Sequence, residues 1–169
     1  MIVLNLQMDR RKAENYSSNA QKIRVMTENW VDKNMFCPYC GNPYVSHFEN
    51  NRPVADFFCP SCMEEYELKS KGTSISNKVN DGAYNTMIER ITSVNNPNFF
   101  FMHYNKTNLQ IENFVMVPKY FFSPDIIEKR KPLSDTARRA GWTRCNILLG
   151  RIPEEFILYK MRRKYLLKR

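Results

Sequence analysis

Two pairs of cysteines are the first residues of this sequence whose types and spacing suit chemistry. Cys37 and Cys40 form one C-x2-C pair, and Cys59 and Cys62 form a second pair after the 18 residues 41–58. Two such pairs supply four thiolates, the tetrahedral ligand set that structural zinc prefers. Because four sulfurs leave no open coordination position, we expect a structural Zn2+ here and not a catalytic one. The alternative is four unrelated buried or redox-active thiols, and the lone Cys145 is expected only to pack.

A group of charged residues surrounds the second cysteine pair. Asp56 precedes it, while Glu67 and Lys69 follow it. Side chains alternate along a strand, so Glu67 and Lys69 share one face, and a hairpin closed at 59–62 would bring Asp56 towards that face. Two carboxylates would then bind Mg2+ and polarise a phosphate, with Lys69 orienting or helping to deprotonate the attacking water. The alternative is an ordinary solvated strand face, which such residues often form.

The composition favours a folded protein with a polyanionic partner. The apolar share of 43% and the aromatic share of 13% are typical of a globular chain and exclude disorder. A surplus of 26 Lys and Arg over 17 Asp and Glu gives a net charge of +9, which favours nucleic acid. Charge alone is equally compatible with a soluble protein that is merely basic.

The elements that must position these residues predict an α/β fold, with a mixed sheet flanked by helices. A helical period begins at Ser17 or Ser18, and a second one begins after Asn80 or Asp81. Strands are predicted over 53–58, 65–70, 98–104, 111–117 and 145–149. We expect one domain over 1–169, with a zinc-bearing insertion at 37–62 and a basic helical tail at 153–169, where Pro153 opens the helix.

The spacing of Asp56, Glu67 and Lys69, D-x10-E-x-K, is similar to that of the PD-(D/E)xK nuclease superfamily, with the proline displaced to Pro53. Residues 17–149 further resemble the catalytic domain of the DpnI-type restriction endonucleases, which cut G-A-T-C when its adenine carries an N6-methyl group. The resemblance is carried by HFENNRPVADFFCPSCMEEYELKSK, NDGAYNTMIERI, NNPNFFF and KPLSDTARRAGW.

This resemblance implies a PD-(D/E)xK core with an embedded zinc site. It also implies Mg2+ bound by Asp56, Glu67 and the backbone carbonyl of Leu68, with Lys69 as the catalytic lysine. Enzymes of this type carry a C-terminal winged-helix domain that also reads methylated DNA. We expect no counterpart of that domain in the 169 residues, so the catalytic domain would have to sense the methyl group itself.

The segment 129–144 is the best candidate for reading DNA, with six basic residues and one acidic residue. Arg138, Arg139 and Arg144 suit phosphate contacts or groove insertion, and Trp142 offers an apolar face that could open the minor groove or border a pocket for the adenine methyl groups. The alternative for Trp142 is an ordinary core position. Glu28 could join the catalytic site as a further ligand or a supporting group, or it could simply pair with Arg24 on a helix surface.

Six basic residues among the last ten could add non-specific phosphate contacts, although the dipole of a solvated helix end accounts for them almost as well. Two other functions stay open: a non-catalytic zinc-ribbon reader of methylated DNA, and a nuclease of broader specificity. The N-terminus lacks the features of a signal peptide and no window is apolar enough for a membrane helix, so we expect a cytoplasmic protein with no membrane partner. One active site on the chain favours a monomer that nicks the two strands in turn.

Overall fold

A computed structural model describes residues 5–49 and 55–154, together with the backbone of 159–162. The helices are α1 (Asn19–Asn34) and α2 (Tyr84–Thr92). The strands are β1 (Ser46–His47), β2 (Phe57–Phe58), β3 (Glu65–Lys71), β4 (Val79–Ala83), β5 (Asn98–Tyr104), β6 (Ile111–Val117), β7 (Ile127–Lys129), β8 (Arg144–Ile147) and β9 (Tyr159–Arg162). Short 3-10 turns lie at Arg10–Ala13, Lys119–Phe121, Pro124–Ile126 and Leu149–Arg151.

The strands form two sheets. The larger one is mixed and has the order β1-β2-β3-β5-β6-β9, with β3 and β5 parallel and its other neighbouring strands antiparallel. The smaller sheet has the order β4-β8-β7 and is antiparallel. The connection from β3 to β5 contains β4 and α2, so the chain visits the smaller sheet between two adjacent strands of the larger one. The predicted mixed α/β architecture is confirmed.

Strand β5 lies between two hydrophobic cores and is therefore buried on both faces. Phe100 and Met102 pack into the core that contains α1, whereas Phe99 and Phe101 pack into the core that contains α2. All four side chains are at most 1% exposed. The continuous apolar run of this strand, which does not alternate with polar residues, is typical of a strand covered on both sides. The helices therefore flank the sheet as the sequence predicts.

The predicted hairpin 98–104 with 111–117 is confirmed, and so is the hairpin in which β2 and β3 pair across the second cysteine pair. The predicted start of the second helix is too early. Residues 79–83 form β4, because β8 offers Val79 and Asp81 backbone partners at Ile147 and Cys145. Helix α2 then begins at Tyr84.

The helical tail is wrong where the structure describes it, because Tyr159–Arg162 is a strand paired with β6. An exposed sheet edge offers a chain segment a row of backbone partners, and here this outweighs the helical pattern of the sequence. The other residues of 155–169 and Pro53 lie outside the described residues. A single domain over 1–169 stays a prediction. Among the described residues, no helix is both long and apolar enough to cross a membrane.

Candidate active site and metal centre

The four cysteines meet at one point, as their spacing predicts. All four Sγ atoms lie within 4.8 Å of one another. Two contacts join one cysteine of each pair, at 3.6 Å between the Sγ atoms of Cys37 and Cys62 and 3.6 Å between those of Cys40 and Cys59. Sulfurs about 2.3 Å from a tetrahedral ion would lie roughly 3.8 Å apart. The cluster therefore has the dimensions and the donor type of a four-cysteine zinc site.

Both cysteine pairs sit in turns of the same design. The N–H of Gly41 donates to the carbonyl of Cys37 at 2.9 Å, and the N–H of Met63 donates to the carbonyl of Cys59 at 2.9 Å. Each turn needs a positive φ just after its second cysteine, +79° at Gly41 and +62° at Met63. Glycine adopts this conformation at little cost, whereas methionine is strained in it.

The thiols of the cluster differ in their environments. Burial raises the pKa of Cys62 to about 12, whereas a hydrogen bond with the backbone of Asn42 lowers the pKa of Cys40 to about 7. The Cys37 sulfur lies 3.0 Å from the hydroxyl of Tyr66, a fully buried residue of β3. This contact ties the cysteine cluster to the strand that also carries Glu67 and Lys69.

The three charged residues lie on the hairpin beside this cluster. The backbone N–H of Asp56 donates to the carbonyl of Tyr66 at 3.0 Å, and its Oδ2 accepts from the N–H of Leu68 at 2.7 Å. On β3 itself, Lys69 Nζ lies 2.6 Å from Glu67 Oε1. Asp56 is therefore held against the strand segment that carries the other two. The carbonyl of Leu68 stays a predicted ligand, although the Leu68 backbone is in place beside Asp56.

The surroundings of Asp56 and Lys69 shift the pKa of both groups. Burial raises the pKa of Asp56, and the negative charges of Glu67 and Glu28 act in the same direction, while the hydrogen bond from Leu68 opposes them. Burial by itself would lower the pKa of Lys69, but the neighbouring carboxylates, chiefly that of Glu67, outweigh burial and raise the pKa above its ordinary value. A crowded carboxylate whose pKa is raised, as for Asp56, is typical of a site that gains stability from a cation.

Two further residues of this site were missed from the sequence. Asp81 of β4 places Oδ1 2.9 Å from Lys69 Nζ, and Arg90 of α2 places Nε 2.6 Å from Glu67 Oε2. Both contacts depend on how the smaller sheet and α2 pack on the larger sheet. No spacing in the sequence reports that packing, and the sequence pattern places Asp81 at the start of a helix.

Glu28 lies on α1, where both of its carboxylate oxygens have partners. Oε1 accepts from Arg24 Nε at 2.7 Å, and Oε2 lies 3.0 Å from His47 Nε2. The three residues line a cavity of about 340 Å³. The pairing with Arg24 that the sequence allowed is present, and the contact with His47 was not foreseen. A role for Glu28 at the metal stays a prediction.

The segment 129–144 joins β7 to β8 and begins and ends in the smaller sheet. Trp142 is half-buried, with the guanidinium carbons of Arg139 and Arg144 at 5.2 and 5.7 Å from its ring centre. Arg138 is exposed. Arg144 pairs with Ala83 on β4, two residues from Asp81, so the basic segment adjoins the strand whose Asp81 contacts Lys69.

Together, the mixed α/β fold, a four-cysteine cluster that could hold a metal ion and the acid-lysine site are the features expected of a metal-dependent nuclease. The sequence model described as "DpnI: Dam-replacing family" matches residues 4–166 of the 169 residues. The chain therefore belongs to the DpnI, or Dam-replacing, family. This membership confirms the expected likeness to methylation-dependent restriction endonucleases and implies DNA as the partner.

Proposed function

We propose that this protein is a Mg2+-dependent endonuclease that cuts double-stranded DNA at G-A-T-C sites carrying N6-methyladenine. Family membership supports the reaction class and the methylated substrate. The observation that carries the chemistry is the arrangement on the hairpin. Lys69 contacts Glu67 on one strand, while Asp56 is fixed to Leu68 between them.

In the proposed mechanism, Asp56 and Glu67 would hold the magnesium ion, with the Leu68 carbonyl as a further ligand. When bound, Mg2+ supplies a Lewis acid for the scissile phosphate and a bound water of lowered pKa. Lys69 places an ammonium beside the phosphate, where it orients the attacking water by hydrogen bonding and offsets negative charge that grows on the phosphate oxygens. Water adds to phosphorus and loses a proton to solvent, and the bond from phosphorus to the leaving sugar oxygen breaks as that oxygen takes up a proton from solvent.

The proposed zinc site supports this chemistry from the other side of the strand. Side chains alternate along β3, so Tyr66 points to the cysteine cluster while Glu67 and Lys69 point away from it. Four thiolates leave no coordination position for substrate, so the proposed Zn2+ holds the hairpin and takes no part in hydrolysis.

We further propose that 129–144 reads the DNA. Arg138 and Arg139 contact phosphates, and Trp142 with Arg144 faces the methylated base pairs. The position of the segment 129–144 beside β4 supports this assignment, because DNA bound to that segment would lie next to Lys69. A PD-(D/E)xK core, a monomeric state and a cytoplasmic location remain predictions that go with this function.

The experiment compares wild-type protein with Asp56→Asn, Glu67→Gln and Lys69→Ala on methylated G-A-T-C duplexes with Mg2+. We expect each variant to lose about 100-fold or more in cleavage rate, because each removes a group needed at the phosphate. Glu89→Gln, which neutralises an exposed carboxylate of α2, is the matched control and should cut normally. Binding without cleavage by the wild type would instead identify a non-catalytic reader.

A further inference from the structure

Lys69 is held between two carboxylates that come from different sheets. Its Nζ lies 2.6 Å from Glu67 Oε1 on β3 and 2.9 Å from Asp81 Oδ1 on β4. The three side chains are only 21%, 14% and 15% exposed, in the order Lys69, Glu67 and Asp81. These are contacts shielded from water and not pairs on an open surface, so they restrict the ammonium far more than a surface ion pair would.

The two carboxylates differ in what else they must do. Glu67 also contacts Arg90 at 2.6 Å, and under the proposed function it contributes an oxygen to the metal. Its hold on Lys69 would weaken when that oxygen is taken. Asp81, in contrast, forms a single ion pair among the described residues, and its partner is Lys69. Asp81 is therefore the partner that can keep Lys69 in place throughout the reaction.

The backbone around Asp81 shows how its side chain reaches across to the larger sheet. Asp81 pairs with Cys145 of β8, and the register shifts between Asp81 and Ala83. Such an irregularity turns side chains away from the direction that an ideal strand would give them and is common near active sites. Cys145 and Ile147 of β8 are fully buried, so the strand with which β4 pairs is anchored in the hydrophobic core.

We propose that Asp81 is a positioning residue for the cleavage reaction, which holds the Lys69 ammonium beside the scissile phosphate. The proposal rests on the proposed function of Lys69. A lysine side chain has four rotatable bonds, and a fixed acceptor at its end restricts them before substrate arrives. A displacement of about 1 Å at a reacting group can reduce the rate about 100-fold, so loss of this acceptor should be visible in catalysis.

The test compares Asp81→Asn and Asp81→Glu with wild type, under single-turnover conditions with methylated duplex and Mg2+. We expect Asp81→Asn to reduce the cleavage rate about 10- to 100-fold, with DNA affinity, measured with Ca2+ in place of Mg2+, within about 2-fold of wild type. Asp81→Glu, which keeps the carboxylate, should recover most of the rate. Glu89→Gln, which makes the same change in net charge on α2, should behave as wild type.

A double variant separates positioning from a merely structural ion pair. If Asp81 acts through Lys69, Asp81→Asn should add no further loss in a Lys69→Ala background. Multiplying losses, or a wild-type rate for Asp81→Asn, would overturn the proposal. Equal losses in Asp81→Asn and Asp81→Glu, together with a lower melting temperature, would also overturn it, because they would show a role in folding.

A measurement without cleavage keeps this proposal distinct from the proposed function. In 15N-lysine-labelled protein, the Lys69 ammonium, which two carboxylates shield from water, should give a slowly exchanging NMR signal that is lost or broadened in Asp81→Asn and kept in Glu89→Gln. If the wild-type protein fails to cut DNA while this pattern holds, the proposed function fails, whereas the hold of Asp81 on the Lys69 ammonium stands. An Asp81→Asn signal identical to that of wild type would overturn the positioning.

Discussion

At the scale of single residues, the site depends on groups that hold others in place. Asp56 is fixed by the N–H of Leu68, Lys69 by Glu67 and Asp81, and Glu67 by Arg90. The sequence identifies Asp56, Glu67 and Lys69, because a strand with alternating faces and a hairpin turn suffices to bring them together. It does not identify Asp81 or Arg90, whose contacts arise only when separate elements pack.

Met63 offers a test of the turn design at this scale. We expect Met63→Gly to increase the free energy of unfolding by about 1 kcal/mol, because a non-glycine residue with positive φ is strained. Gly41→Ala, at the equivalent position of the first turn, should decrease it by about 1 kcal/mol for the same reason. Urea unfolding of zinc-loaded protein measures both. Two changes of the same sign would contradict the equivalence of the turns.

Tyr66 tests the link between the cysteine cluster and β3. Tyr66→Phe removes the hydroxyl 3.0 Å from the Cys37 sulfur and keeps the ring that stacks on Phe100 at 4.7 Å. Groups that hydrogen bond to metal ligands typically contribute 10- to 100-fold in metal affinity, so we expect a loss of about 10-fold for zinc. Competition with a chromogenic chelator measures this. Tyr104→Phe, at a buried tyrosine outside the cluster, is the control, and equal zinc affinity in Tyr66→Phe and wild type would contradict the link.

At the scale of elements, the hairpin of β2 and β3 carries two of the four clustered cysteines together with Glu67 and Lys69. We expect a zinc chelator to abolish cleavage and lower the melting temperature, because the turn at 59–62 joins the strand that follows Asp56 to the strand of Glu67. Adding back Zn2+ should restore both, whereas added Mg2+ should not. Full activity in chelated protein from which zinc has been shown to be absent would rule out this structural role.

The segment 129–144 should contribute mainly electrostatic binding through its exposed arginines. We expect Arg138→Ala with Arg139→Ala to weaken DNA binding at every sequence and to reduce the salt dependence of log K by about 1 for each phosphate that is no longer bound. Titrations across a range of salt concentrations measure this slope. An unchanged slope would show that these side chains do not bind phosphate.

Trp142 should act on specificity. Trp142→Ala is expected to abolish methyl-dependent cleavage while the protein stays folded, because Trp142 is only half-buried and its ring contacts the guanidinium groups of two arginines. Circular dichroism and thermal unfolding check the fold, and cleavage of methylated duplex checks the function. A folded variant that cuts methylated DNA normally would remove Trp142 from the reading of the base.

The elements also show where sequence reasoning stops. The hairpin of β5 and β6 and helix α1 follow from local periodicity and are confirmed. Strand β4 and strand β9 do not, because each forms only when a distant strand, β8 or β6, offers its backbone. In both cases, backbone pairing with the edge of a sheet outweighs the local helical pattern. Because the sequence does not predict β4, it does not predict the contact of Asp81 with Lys69 either.

At the scale of the whole molecule, two cores on either side of β5 keep the parts of the site in register. One core contains α1 and the cysteine hairpin, and the other contains α2 and the smaller sheet. Lys69 lies where elements of both meet, since its partners come from β3 and β4. With a net charge of +9, the molecule also has the overall field that draws DNA to such a site.

The central claim is that this molecule cuts DNA according to adenine methylation. The most direct measurement incubates the protein with Mg2+ and two preparations of one plasmid, one N6-methylated at its G-A-T-C sites and one unmethylated, with Lys69→Ala as the blank. We predict that wild-type protein cuts the methylated plasmid alone. Equal cutting of both plasmids, or no cutting of the methylated one by zinc-loaded protein, would contradict this claim.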